Sequence, residues 1–185
     1  MNALKSLLYF LNSLEYIKEN QDIIDNLIHI LINNDSINTI TYVLEILVLI
    51  CNYWKEEGAK MVYNSLKAYS LQSNTKLFKE FIEFIDDNNA DTKKTAITII
   101  CLMIKYTNDK EQQANLVADL NDVGLLKILE KNAHYQDSGF QNQLSLYQKL
   151  TDEIVKGSNY QVQNYLFLIL KYFLNFIGRN IQEKV

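Results

Sequence analysis

The chain has 185 residues, 48% of them hydrophobic, and a formal net charge of −4, which fits one domain and puts it among folded proteins rather than disordered ones. It contains no proline and only five glycines, where average usage of about 5% would give roughly nine prolines, so the composition predicts an all-helical protein. Arg179 is the sole arginine and no basic face is visible, which argues against nucleic-acid binding.

In chain order, residues 3–18 carry Leu4, Leu7, Leu8, Leu11 and Leu14 at helical spacing. Asn20 is placed to cap a second helix with Ile23, Ile24, Leu27, Ile28 and Leu31 inward. The break Asn33-Asn34-Asp35-Ser36 ends it, and Asp35 or Ser36 is expected to cap a long helix through about Cys51. A helix over 57–70 follows, then one from Asn74 with Leu77, Phe78, Phe81, Ile82 and Ile85 inward. Asp86 to Asn89 breaks that helix, and Asp91 or Thr92 is expected to cap the next, through Lys105. Asn108-Asp109 opens a more polar helix to about Leu120, Gly124 precedes a short helix over 125–131, and a last pair spans 139–155 and 159–182.

Two stretches 54 positions apart read as copies. Leu27-Ile28-His29-Ile30-Leu31-Ile32-Asn33-Asn34 followed by Val43–Ile50 matches Phe81-Ile82-Glu83-Phe84-Ile85-Asp86-Asp87-Asn88 followed by Ile97–Ile104. Leu125-Leu126-Lys127-Ile128-Leu129-Glu130 echoes the first member again. Self-similarity at this period predicts an all-α, right-handed, armadillo-like helical solenoid of three to four repeats, a fold that presents a concave binding surface. The runs 40–51 and 95–104 are apolar nearly all round and should be inner helices, sandwiched by their neighbours. Both 40–51 and 166–177 are shorter than the ~20 residues that span a bilayer, so no membrane span is expected.

Chemistry is sparse. His29 falls on the polar side of its helix and His134 in an Asn/Tyr-rich loop, neither with a partner at metal-ligand spacing. The glycines are isolated, Asp86-Asp87 reads as a solvated helix end, and Tyr160, Tyr165 and Tyr172 fall in a packing register. Cys51 and Cys101 lie in apolar helices and read as reduced core thiols of an intracellular protein. No catalytic residue, metal or cofactor is expected, and the chain reads as a binding protein, not an enzyme.

The passage from Val43 to Val62, a leucine-rich helix, Cys51, then Glu57-Gly58-Ala59-Lys60-Met61-Val62, resembles the third formin homology region. This region is the armadillo-like inhibitory domain of Diaphanous-related formins. Phe78-Lys79-Glu80-Phe81-Ile82, the helix Thr92–Ile104, Asp122–Glu130 and Gln141–Tyr147 are similar to its later segments, in order, so that the likeness runs from about Leu4 to Leu150.

The resemblance implies a regulatory module, cytoplasmic and cytoskeleton-associated, that binds the formin's carboxy-terminal autoregulatory helix. Actin nucleation then stays inhibited until a Rho-family GTPase releases that helix. Carried over by position, Lys93, Ile97 and Ile100 fall on the groove-lining helix, and Asn12 on the GTPase side. Ser13 stands where the family has a second asparagine, and Glu15-Tyr16 replaces its Phe-Gly. The chain is read as one domain over 1–185 that lacks most of the GTPase-binding segment preceding such domains, so GTPase binding is expected to be weak. An unrelated armadillo or HEAT scaffold with another peptide or protein partner is the alternative. Residues 93, 97 and 100 share one helix face, which suits either a groove or a core, and Ile100→Asp separates the two.

Overall fold

Hydrophobic periodicity of 3.6 residues becomes a stack of helices. A computed structural model of the chain describes residues 15–157, which contain no strand among them. After helical residues 15–19 come α1 (Gln21–Asn33), α2 (Ile37–Trp54), α3 (Glu56–Ser73), α4 (Lys79–Glu83), α5 (Ala90–Tyr106), α6 (Lys110–Asp122), α7 (Leu125–Lys131) and α8 (Ser138–Gly157). Helices α2, α5 and α8 pack side by side as a ladder, with α5 in the middle. They begin 53 and 48 residues apart, at Ile37, Ala90 and Ser138, which is the repeat seen in the sequence. Three units stack: α1–α2 behind residues 15–19, then α3–α4–α5, then α6–α7–α8. The fold is an armadillo-like helical solenoid.

The core follows the ladder. Along α1 the buried residues are Ile24, Ile28 and Leu31, spaced i, i+4, i+7. Along α5 burial is nearly continuous from Thr92 to Ile104, broken only at Lys94 and Thr98. Polar ties join the units. Thr41 and Thr92 share a hydroxyl hydrogen bond of 3.0 Å between α2 and α5. Gln113 on α6 donates to the carbonyls of Ile104 (2.9 Å) and Thr107 (2.6 Å), satisfying acceptors that the end of α5 leaves without intrahelical partners.

Several local expectations change. Asn74 does not start a helix; it closes α3 in the left-handed conformation (φ 54°), its N–H bonded to the Ser70 carbonyl. Phe78 also holds a positive φ of 69°. That conformation is costly for a bulky side chain, and it is offset by burial of the ring beside Tyr63 (centroids 6.0 Å). Only Lys79–Glu83 is left as helix.

Caps differ as well. Asn20 occupies the expected position, but its amide donates to the Tyr16 carbonyl (2.7 Å) behind it. Ser36 stands before α2 without a side-chain cap bond. Asn89, rather than Asp91 or Thr92, caps α5 by accepting from the Thr92 N–H at 3.0 Å. Asp109 caps α6 as expected, accepting from the Gln112 N–H at 2.7 Å.

Helix α2 is also longer than its apolar run suggests. At 18 residues and mean hydropathy 1.4 it is long and apolar enough, by length and composition, to cross a membrane. Its apolarity has a closer explanation: Ile40, Val43, Leu44, Leu47, Ile50 and Cys51 are buried against α1, α3 and α5.

Candidate functional site

A ladder helix has one side turned to the core, two flanks for its neighbours and one side left open. On α2, Tyr42, Ile46, Leu49 and Tyr53 follow i, i+4, i+7, i+11 and all reach solvent, with Tyr42 65% and Leu49 46% exposed. Four large side chains in a row on a surface form the kind of apolar stripe that contact faces use. Beside this row, α2, α5 and the start of α8 enclose an open cavity of about 520 Å³, lined by Glu45, Val48, Leu49, Thr98, Gly139 and Gln143 among others.

The open side of α5 consists of Asp91, Lys94, Thr98 and Lys105. Asp91 and Lys94 form an ion pair of 2.6 Å. Its hydrogen bond, with help from the nearby Asp137 and Glu45 carboxylates, raises the Lys94 ammonium above its ordinary pKa.

Lys93, Ile97 and Ile100 lie elsewhere. Ile97 and Ile100 have no exposed surface and Lys93 is 4% exposed, so none of the three lines the open face. The physical reason is register: each residue turns the helix by about 100°, and Lys94 and Thr98 hold the outward positions beside Lys93 and Ile97. Asn12 and Ser13, like Arg179 and the tyrosines at 160, 165 and 172, lie outside the described residues.

The Lys93 ammonium is instead a buried tie between the second and third units. It donates to the Asn132 Oδ1 and sits 4.7 Å from the centre of the Tyr135 ring, a cation–π arrangement. Asn132 in turn donates to the Ile128 carbonyl (2.8 Å) and to Asp86 (3.2 Å), and Asp86 pairs with Lys131 at 2.7 Å. Asp86 is therefore a structural anchor, where the sequence suggested only a solvated helix end.

Burial pushes the Lys93 pKa down against the pull of Asp86. The Lys131 hydrogen bond holds the Asp86 carboxyl below its usual range. That depressed pKa contributes stability that is fully present above about pH 4, the ordinary carboxylate value, and is lost as pH falls through the folded-state pKa. Asn132→Leu would strand the ammonium without its acceptor, and is expected to destabilise the domain by about 3 kcal/mol. Urea denaturation of the single variant and of Lys93→Met/Asn132→Leu checks this, the double variant recovering much of the loss.

Other reactive groups are quiet. Both cysteines are free and buried, and burial pushes each thiol up to about 12, which leaves them unreactive at neutral pH. His29 is exposed, 3.2 Å from Gln72 and edge-on to the Tyr69 ring. Among the described residues no group of three or more His, Cys, Asp or Glu is placed to hold a metal ion.

What the sequence did not mark was which residues of the apolar ladder helices stay open. The signal available was the surplus on α2, where Tyr42, Ile46, Leu49 and Tyr53 exceed what one core side needs.

Comparison with known proteins agrees with this architecture. Formin-G of Dictyostelium discoideum is 24% identical over 147 residues, covering 80% of this chain and 14% of Formin-G. Formin-C of the same organism is 21% identical over 160 residues, covering 85% of this chain and 14% of Formin-C. The chain thus spans a small part of the length of these relatives. The family model of the FHOD1/3 FH3 domain matches residues 1–128, a formin homology 3 region as the motifs implied, and of the FHOD1/3 type. Helical stack, repeat spacing and family match together place the chain in the formin homology 3 (FH3) domain family.

Proposed function

We propose that this chain is the regulatory, protein-binding module of a formin. It receives the formin's carboxy-terminal autoregulatory helix on the open face of α2, α5 and α8, and so holds actin nucleation in check until a Rho-family GTPase releases it. The observation that carries this reading is the row Tyr42, Ile46, Leu49 and Tyr53 beside an open cavity of about 520 Å³. An amphipathic helix laid in a groove is read through anchors at this same i, i+4, i+7 spacing. A binding role suits a fold with no assembled reacting groups among its described residues, and the activity it controls belongs to parts of a formin outside this domain. The module would act in the cytoplasm, at the actin cytoskeleton.

The test is titration calorimetry of the chain with a synthetic peptide from the carboxy-terminal tail of a formin of the same cell. Leu49→Asp puts a carboxylate on the exposed apolar row and should weaken binding by roughly tenfold or more, as losing a central anchor does. Because Leu49 is nearly half exposed, the thermal melt should stay near that of the parent chain. Unchanged affinity in Leu49→Asp would remove the α2 row from the binding site.

A further inference from the structure

Lys94 lies among three carboxylates at the cavity, Asp91, Asp137 and Glu45, each of which favours its charge. Toward its own helix it is paired with Asp91 at 2.6 Å. Glu45 of α2 lines the same cavity and also favours the lysine's charge. The lysine stem lies across the first turn of α8 at Gly139, where a Cβ would come within 2.8 Å of the Lys94 Cδ and 3.1 Å of the Asp137 Oδ1. Asp137 is pinned, because its Oδ1 accepts from the Phe140 N–H at 2.7 Å. A side chain at 139 therefore displaces Lys94, the flexible partner, away from α8.

We propose that Lys94 governs admission to the groove: Asp91 and the missing side chain at Gly139 hold it aside, and it closes the cavity by crossing to Glu45. The role in partner binding rests on the reading above, whereas the movement of Lys94 does not. Gly139 is in this sense a positioning residue, acting through Lys94. A partner anchored in the cavity meets the lysine already drawn back, and does not have to expel an ammonium from its path. Weakening the Asp91 side or filling the Gly139 side shifts the population toward the closed arrangement.

The experiment needs no partner. Thr98→Cys places a thiol in the cavity lining, and its alkylation by iodoacetamide, compared as the limiting rate of the fully formed thiolate so that neighbouring charge drops out, reports access, since Cys51 and Cys101 are buried and their thiols titrate only near 12. Adding Gly139→Ala should slow labelling by about fivefold, a shift no larger than the worth of one surface ion pair, and Asp91→Asn should slow it in the same direction. Lys94→Ala should restore the fast rate in the Gly139→Ala background, which a merely structural effect at 139 would not do. Alanine favours helix over glycine, so the melt of Gly139→Ala should be equal or higher, and a collapsed melt would overturn the proposal. Labelling that is unchanged by Gly139→Ala, or slowed but not restored by Lys94→Ala, would also overturn it. If labelling follows the lysine while the formin tail peptide fails to bind, the gate stands and the proposed partner falls.

Discussion

Ile100→Asp is expected to unfold the domain. Ile100 has no exposed surface and lies on α5, the middle helix of the ladder, flanked by α2 and α8. An aspartate there buries a carboxylate with no partner and also removes a branched aliphatic side chain from a packed site. Substitutions of this kind cost roughly 4 kcal/mol or more, against a total stability of about 5–15 kcal/mol for a typical domain. Circular dichroism should show a melt lowered to or below room temperature. A near-native melt would mean that the α5 register is wrong and that the face carrying Lys93, Ile97 and Ile100 is open after all.

Gly58→Ala should lower the melting temperature, though the same change usually strengthens a helix. In an unobstructed helix, alanine gains about 1 kcal/mol over glycine. At Gly58 the added Cβ would stand 2.3 Å from the Ile50 carbonyl oxygen, 2.9 Å from the Ile50 carbonyl carbon and 3.2 Å from the Cys51 Cα. All three obstacles are backbone of α2, so no side chain can swing aside, and α2 and α3 must move apart where they cross. Overpacking that forces backbone shifts costs about 1–3 kcal/mol, and at 2–4 °C per kcal/mol for a chain of this size the melt should fall by roughly 5–10 °C. A melt that is unchanged or raised would contradict the close approach of these helices.

Much of the fold was legible because helices of a solenoid must repeat their buried positions. The match of Leu27–Ile32 with Phe81–Asp86, and of Val43–Ile50 with Ile97–Ile104, marks equivalent places in successive units. The short helix α4 was read too long because Leu77 and Phe78 keep the apolar rhythm, while the backbone turns at Asn74 and Phe78 through positive φ values that no hydrophobic pattern records.

The site was less legible. On an all-apolar helix, neighbouring residues differ in role by rotation alone, and sequence similarity aligned Lys93 and Ile97 where the open positions are Lys94 and Thr98. The buried lysine was also hidden, since its partners Asn132, Tyr135 and Asp86 are distant in sequence and meet only when the second and third units stack. Gly58 was visible as part of a family motif, but its reason, a backbone crossing, was not.

On the proposed function, the partner helix sits on the open ladder face of α2, α5 and α8. A second cleft, of about 500 Å³ between α3, α5 and α6 and floored by Tyr63, Met103, Tyr106 and Leu116, offers a competing location. The most direct measurement is backbone and side-chain nuclear magnetic resonance of the chain titrated with the formin tail peptide. Saturable shifts are expected at Tyr42, Ile46, Leu49, Lys94, Thr98 and Gln143. Shifts centred on Tyr63 and Tyr106 instead, or none at millimolar peptide, would contradict it.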